Sequence, residues 1–449
     1  MQRKIIQVDE RLPLIEGIPL SIQHMFAMFG ASILVPMLFG INPAVVLLMN
    51  GVGTLLFILI TKGKAPAYLG SSFAFLAPVA MVIGPSGKTD LAKYPLALGG
   101  FVAVGATICI VALIIRLFGT KWIDIILPPA AMGPVVALIG LTLAGTAAKE
   151  SGIPVLDTLT GANVQNGDAK STIVFLITLA VAVFGSILFR KFFSVIPILI
   201  AIIVGYVTAC FFGLVDFSSF GKEGFFALPT FTAPQFNMSA IAIILPASLV
   251  VISEHIGHQI VTSKIVGRDL IKDPGLHRSM LSDGISTMLS GFVGAVPTTT
   301  YGENIGVMAI TRVYSVWVIG GAAALSIIVS FIRPVSLFIQ SIPWAVIGGV
   351  SFMLYGMIAA SGLRLLVEAK VDYSRSRNLA LTSVVFVTGL SGAYIPISAS
   401  FQLSGLTLAT LVGMVLGLIF YLLDRFKLTN DLAPAEEEAA DAEVSAAQK

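Results

Sequence analysis

The chain has 449 residues, of which 56% are hydrophobic and 11% charged, with a mean hydropathy of +0.96. Soluble domains carry about 25% charge, so this composition excludes a water-solvated surface and makes lipid the main solvent. Lys and Arg number 27 against 24 Asp and Glu, but six of the acids fall in the last nineteen residues beside a single Lys. The remaining 26 to 18 suits a chain held against anionic headgroups, with no nucleic-acid partner expected.

In chain order, residues 1–13 are polar, and the apolar run from Ile18 to Phe39 reads as a retained span because no small-residue cleavage site follows it. Apolar stretches then recur near 17–40, 43–61, 68–84, 95–116, 122–148, 171–190, 194–215, 239–262, 280–296, 301–311, 314–332, 336–361, 379–397 and 403–424. These make fourteen predicted segments, the third, ninth and tenth short for a full crossing. With the N-terminus inside and strict alternation, cytoplasmic loops receive 21 Lys and Arg and external loops six, a bias that one added or lost span in the middle would erase. Both termini are therefore expected in the cytoplasm, with a disordered acidic tail from Asp431 to Lys449. Cys109 and Cys210 lie inside apolar runs and read as small core residues.

Fourteen segments divide into seven and seven, and an odd number per half inverts one half against the other. Unusual segments recur at matching places. The third opens Tyr68-Leu69-Gly70-Ser71-Ser72-Phe73, and the tenth opens Thr298-Thr299-Thr300-Tyr301-Gly302-Glu303-Asn304. Non-helical backbone at membrane depth survives only where protein or a water-filled cavity satisfies it, so these two breaks are the predicted substrate site. Phe73 and Gly302 are 229 residues apart, and the same offset carries His24 to Ser253, beside Glu254.

Ionisable groups expected at depth are His24, Glu254, His255, His258 and Glu303. A carboxylate at the bilayer centre costs roughly 2.5–3.5 kcal/mol on insertion scales, which makes function the default reading of each Glu. Glu254 and His258, four apart, share a helix face, while His255 points about 100° away and reads as structural. A single Glu paired with a histidine also serves to lock two helices. Two of them, each in or beside an unusual segment, favour a site. His24 reads equally as a helix bridge or a ligand-facing group, and with Ser72 and Asn304 it ranks as a supporting residue. Two carboxylates, an imidazole and amides freed at Gly302 suit a small planar molecule with N–H donors and carbonyl acceptors. A proton bound at Glu303, Glu254 or His258 together with that molecule would be the coupling ion.

Other patterns carry less. Gly84-Pro85-Ser86-Gly87-Lys88-Thr89 ends like a phosphate-binding loop but has Val82 where the first Gly belongs, so it reads as a turn. Glu254-His255-Ile256-Gly257-His258 lacks the residue order of a zinc-protease helix, so no metal or cofactor is expected. Asp283 and Arg312 read as helix caps near the cytoplasmic face.

The stretches Ile18-Pro19-Leu20-Ser21-Ile22-Gln23-His24, Gly70-Ser71-Ser72-Phe73-Ala74-Phe75, Ser253-Glu254-His255-Ile256-Gly257-His258 and Thr300-Tyr301-Gly302-Glu303-Asn304 through Thr311-Arg312 resemble the nucleobase:cation symporter family that contains the nucleobase-ascorbate transporters. The resemblance runs from about Leu14 to Asp424. It implies an all-α polytopic membrane protein of 14 transmembrane segments in a 7+7 inverted repeat, with short extended strands at the third and tenth. It also implies a core domain (14–120 and 239–333, spans 1–4 and 8–11) and a gate domain (121–238 and 334–424, spans 5–7 and 12–14), between residues 1–13 and the tail 425–449. By motif, Glu254 and Glu303 would hydrogen-bond a pyrimidine and the amides of Phe73 and Gly302 would meet its carbonyls. His258 would act through water, Tyr301 and Phe73 would pack around the ring, and Tyr355 would approach from the gate. Carboxylates at both 254 and 303 resemble the uracil branch, since the purine branch more often has an amide at the second position.

The expected function is proton-coupled uracil uptake by alternating access at a bacterial inner membrane, without enzymatic activity and with a homodimer through the gate domain implied by the resemblance. The alternatives are a xanthine or other purine permease on the same scaffold, a channel, or an intramembrane hydrolase, which would need a nucleophile beside His258.

Overall fold

The computed structural model describes residues 5–84, 89–156, 162–190, 193–218, 220, 224–398 and 401–429. Residues 85–88 of the phosphate-loop-like turn and the acidic tail from 430 lie outside the described residues.

The chain is mostly helical. The first part runs α1 (Leu14–Phe39), α2 (Pro43–Ile60), β1 (Leu69–Ser71), a single tight turn (Phe73–Phe75), α3 (Leu76–Ile83) and α4 (Tyr94–Phe118). There follow α5 (Lys121–Ile126), α6 (Pro129–Thr142), α7 (Ala144–Glu150), the strands β2 (Val155–Leu156) and β3 (Asn163–Gln165), α8 (Ala169–Leu188) and α9 (Pro197–Phe211). Next come α10 (Met238–Ile244), α11 (Ala247–Val266), α12 (Leu276–Val293), β4 (Thr298–Thr300), α13 (Gly302–Thr311) and α14 (Val316–Ser330). The chain continues with α15 (Arg333–Gln340), α16 (Trp344–Glu368), α17 (Ser376–Leu390), β5 (Tyr394–Ser398), β6 (Phe401–Ser404) and α18 (Gly405–Arg425).

Helix starts follow local chemistry. Asn42 caps α2 by accepting from the Ala44 amide at 2.9 Å ahead of Pro43, and Asp168 and Asn237 cap α8 and α10 in the same way. Eight helical stretches among the described residues are long and apolar enough to cross a bilayer unaided, and three further apolar helices are shorter. Four apolar segments differ from a single continuous helix, and those near 239–262 and 336–361 are each divided over two helices, α10 with α11 and α15 with α16. The run near 379–397 leaves the helix at Leu390 and forms a hairpin, β5 with β6, that leads into α18. The run near 122–148 is divided into α5, α6 and α7.

The two breaks meet. β1 and β4 pair antiparallel, with Leu69 opposite Thr300, Gly70 opposite Thr299 and Ser71 opposite Thr298. Three-residue strands leave most of their polar backbone unsatisfied unless the surroundings supply partners. Here the Leu69 amide donates to Thr54 Oγ1 of α2 (2.9 Å), the Ser72 amide to the Pro297 carbonyl (2.9 Å), and Thr287 Oγ1 of α12 to the Thr298 carbonyl (2.9 Å).

Helix packing falls into two groups. In one, α4 lies along α12, α2 along α14 and α12, α1 along α14, and α10 against α4. In the other, α16 packs on α6 and α8, α8 on α9, and α17 on α18 and α6. The groups touch where α11 meets α6 and α18 and where α1 meets α9 and α16.

Asp283 corrects the sequence reading. It is not a cap but lies within α12, fully buried, because that helix starts at Leu276 and so carries the residue well inside. Its Oδ2 sits 2.7 Å from His255 Nδ1 and accepts from Thr299 Oγ1 at 3.3 Å, while His255 Nε2 is 2.9 Å from Ser279 Oγ. His255 is thus a structural bridge. Arg312 does end α13, in the left-handed conformation with φ 59°.

Candidate functional site

α11 carries Glu254 and His258 one turn apart, and both are buried. β4 passes through Tyr301 into α13, so Gly302 and Glu303 are the first two residues of a helix whose opening amides have no intrahelical acceptor. β1 delivers Phe73 to the same place. These six residues line one cavity of about 350 Å³.

The walls are held by specific contacts. His258 Nδ1 lies 3.1 Å from Thr300 Oγ1, which ties the imidazole to β4. The Tyr301 hydroxyl donates to the Ser71 carbonyl at 2.6 Å, and its ring stacks beside Phe73 with centroids 6.3 Å apart. A side chain at Gly70 would stand 2.3 Å from Tyr301 Cε2, so the tyrosine reaches that position only because residue 70 is glycine. A Cβ on Gly302 would meet His258 Nε2 at 3.4 Å and Ser361 Oγ at 3.7 Å, projecting between two cavity walls.

Glu254 Oε2 and Glu303 Oε1 are buried and have no hydrogen-bond partner among the described residues. Two carboxylate oxygens and a helix N-terminus facing one space can accept from N–H groups and donate to carbonyls of a single flat guest. A smaller cavity of about 130 Å³ lies on the far side of Phe73, between Ala77, Ile139, Leu143 and Leu406, and no ionisable side chain lines it.

The supporting residues take other places. His24 Nδ1 is 3.3 Å from Asn304 Oδ1, both buried and neither on the cavity wall. Ser72 is buried just after β1, where its amide donates to the Pro297 carbonyl, and is not on the cavity wall. Tyr355 does not line the cavity, but packs edge-on against Phe73 with centroids 5.9 Å apart.

Sequence reasoning missed the wall formed by α16. Leu354, Met357, Ile358, Ser361 and Arg364 all line the cavity and recur at three- and four-residue spacing, the stripe of one helical face. That period was the available signal, and it places the stripe one residue away from Tyr355. Asp283 and Thr299 were missed as a buried pair that joins α12 to β4.

Solved structures of similar fold include the transmembrane domain of the cyanobacterium bicarbonate transporter BicA (TM-score 0.60, 14% identity, covering 94% of this chain and 99% of that one). SLC26A9 is another (TM-score 0.62, 13% identity, 92% and 66%). At such identity the likeness speaks for the fold alone. Fold and site together describe a multi-pass membrane protein with a cavity where two broken segments meet. The family model Xan_ur_permease, described as Permease family, matches residues 16–398. Similar curated proteins are the uracil permeases of Paenibacillus larvae and Escherichia coli K12, each 54% identical over 96% and 99% of this chain and all of theirs. The uracil permease of Bacillus subtilis is 46% identical over 94% of this chain and 93% of its own. The chain belongs to this permease family.

Proposed function

We propose that this permease imports uracil across a bacterial inner membrane together with a proton, by alternating access. The observation that carries the reading is the convergence of Glu254, Glu303, Phe73 and Gly302 on one cavity, with Gly302 at the start of α13. Uracil is a planar ring with two N–H donors and two carbonyls, the complement of two carboxylates and two amides. The uracil permeases of similar sequence point to the same substrate. A neutral solute gains nothing from the membrane potential, so its accumulation requires a co-transported cation. Glu303, Glu254 and His258 are the groups for it.

In this reading the chain makes fourteen crossings with both termini cytoplasmic, as two inverted halves. The strand register supports the repeat: Gly70 pairs with Thr299, the residue 229 positions later, so a two-fold axis relating halves at that spacing passes through the pair. The packing of α1–α4 with α10–α14, and of α6, α8 and α9 with α16–α18, supports a core body and a gate body that shift against each other. α15, near the expected boundary at 334, leans on α2 and α14. A homodimer would form through the gate body.

The test is radiolabelled uracil uptake into vesicles under an imposed pH gradient, competed with uracil analogues and xanthine. Saturable uptake that collapses with the gradient, resists xanthine and vanishes in Glu254→Gln is expected. Block by xanthine, or non-saturating uptake indifferent to the gradient, would instead indicate a purine permease or a channel. Glu303→Gln should keep uracil binding and lose the dependence on pH.

A further inference from the structure

The N-terminal residues before α1 cross the cytoplasmic ends of the helices that bear the two site carboxylates. Ile6 forms a parallel bridge with Val313, the second residue after α13: its amide donates to the Arg312 carbonyl at 3.0 Å, and its carbonyl accepts from the Tyr314 amide at 2.8 Å. The Val316 amide donates to the Val8 carbonyl at 2.9 Å, and Ser315 Oγ donates to the Glu10 carbonyl at 2.6 Å. Val8 is 0% exposed. Arg11 lies over the Trp317 ring, 3.8 Å from its centroid. Asp9 reaches sideways to Arg268, two residues beyond α11, at 2.7 Å.

The strap therefore touches the segments that follow α11 and α13, the two helices that carry the cavity's carboxylates. α11 carries Glu254 and His258, and α13 carries Gly302 and Glu303. α13 spans only ten residues, roughly 15 Å, so a shift at its cytoplasmic end is passed to Glu303 with little room for absorption. The strap continues into α1, whose His24 meets Asn304, the residue after Glu303.

We propose that residues 6–11 are a positioning element of the substrate site, which fixes the cytoplasmic ends of α11 and α13 so that Glu254 and Glu303 engage one guest together. The inference rests on the reading of these two residues as substrate ligands. None of the strap residues touches the cavity, so their effect passes through the helices they fasten.

The experiment measures equilibrium binding of radiolabelled uracil to the purified full-length chain. Undocking the strap with Val8→Asp should weaken affinity about tenfold at unchanged stoichiometry, while Val8→Ile stays within about twofold of wild type. Arg268→Asp and Asp9→Arg should each weaken affinity, and the combined exchange Asp9→Arg with Arg268→Asp should restore it, which decides the matter if Val8→Asp fails to fold. Wild-type affinity in all the single variants, or a lowered stoichiometry with affinity intact, would overturn the proposal. Glu254→Gln in the same assay separates the two readings. If it binds normally the site reading fails, and if it alone loses binding only the strap inference falls.

Discussion

Gly302 has no side chain at a point on the cavity wall where the fold has room for one. The Cβ of an alanine would sit at ordinary contact distance from His258 Nε2 and Ser361 Oγ, within the space between them. Gly302→Ala is therefore expected to leave the melting temperature unchanged and to weaken uracil binding by about tenfold, roughly 1.4 kcal/mol, as read by equilibrium binding. Tyr301→Phe removes the hydroxyl that donates to the Ser71 carbonyl. It should cost about 1 kcal/mol of stability, seen as a lower thermal midpoint in detergent, while the stacked ring keeps its place beside Phe73. At this scale the sequence was legible wherever a residue type was rare for its surroundings. Glu254 and Glu303 stood out because apolar runs exclude carboxylates, whereas Ser361 and Arg364 did not, since a serine and a near-terminal arginine are ordinary in a long helix. Asp283 was misread because a charge near the start of an apolar run looks like a boundary, and only the longer course of α12 shows it to be interior.

The paired strands depend on side chains of their neighbours. Thr54 Oγ1 accepts from the Leu69 amide and donates to the Asn50 carbonyl, so Thr54→Val leaves a buried amide without a partner. The expected loss is about 1–3 kcal/mol, with reduced uracil binding, and a wild-type melting curve would count against the account. The strap offers a pH test outside the membrane. The hydrogen bond from the Arg268 guanidinium holds the Asp9 carboxyl below its ordinary range. A depressed carboxyl stabilises the fold fully above the unfolded value of about 3.9 and ceases to do so as pH falls through the folded value. The gap in thermal midpoint between wild type and Asp9→Asn should accordingly be constant above about pH 5 and close on acidification below about pH 4. Both breaks were readable from their Gly, Ser and Thr content. The hairpin of β5 and β6 was not, because its apolar residues suit strand and helix alike and the length of the run favoured a helix.

At the scale of the whole molecule, the cavity runs from the paired strands toward Arg364, at the end of α16 that charge placement assigns to the cytoplasm. Cys109 and Cys210 are free, half-buried thiols on different helices and line neither of the two cavities described above. A chain with both replaced by alanine should transport as wild type does. On that background Ser361→Cys should react with a membrane-impermeant thiol reagent applied from the cytoplasmic face, with uracil protecting it. Reaction only from the opposite face would reverse the assigned orientation.

The pairing of β1 with β4 also sets an order of events during synthesis. The strand at 69–71 is made about 230 residues before the one that completes it at 298–300. At about 5–20 residues per second, the first half waits roughly 10 to 50 seconds in the bilayer with that backbone edge open. The Thr54 contact holds the opposite edge of the strand, through the Leu69 amide, and leaves the edge that faces β4 open. The cavity beside the paired strands is consequently among the last features to form, and residues from both parts of the chain are needed to wall it.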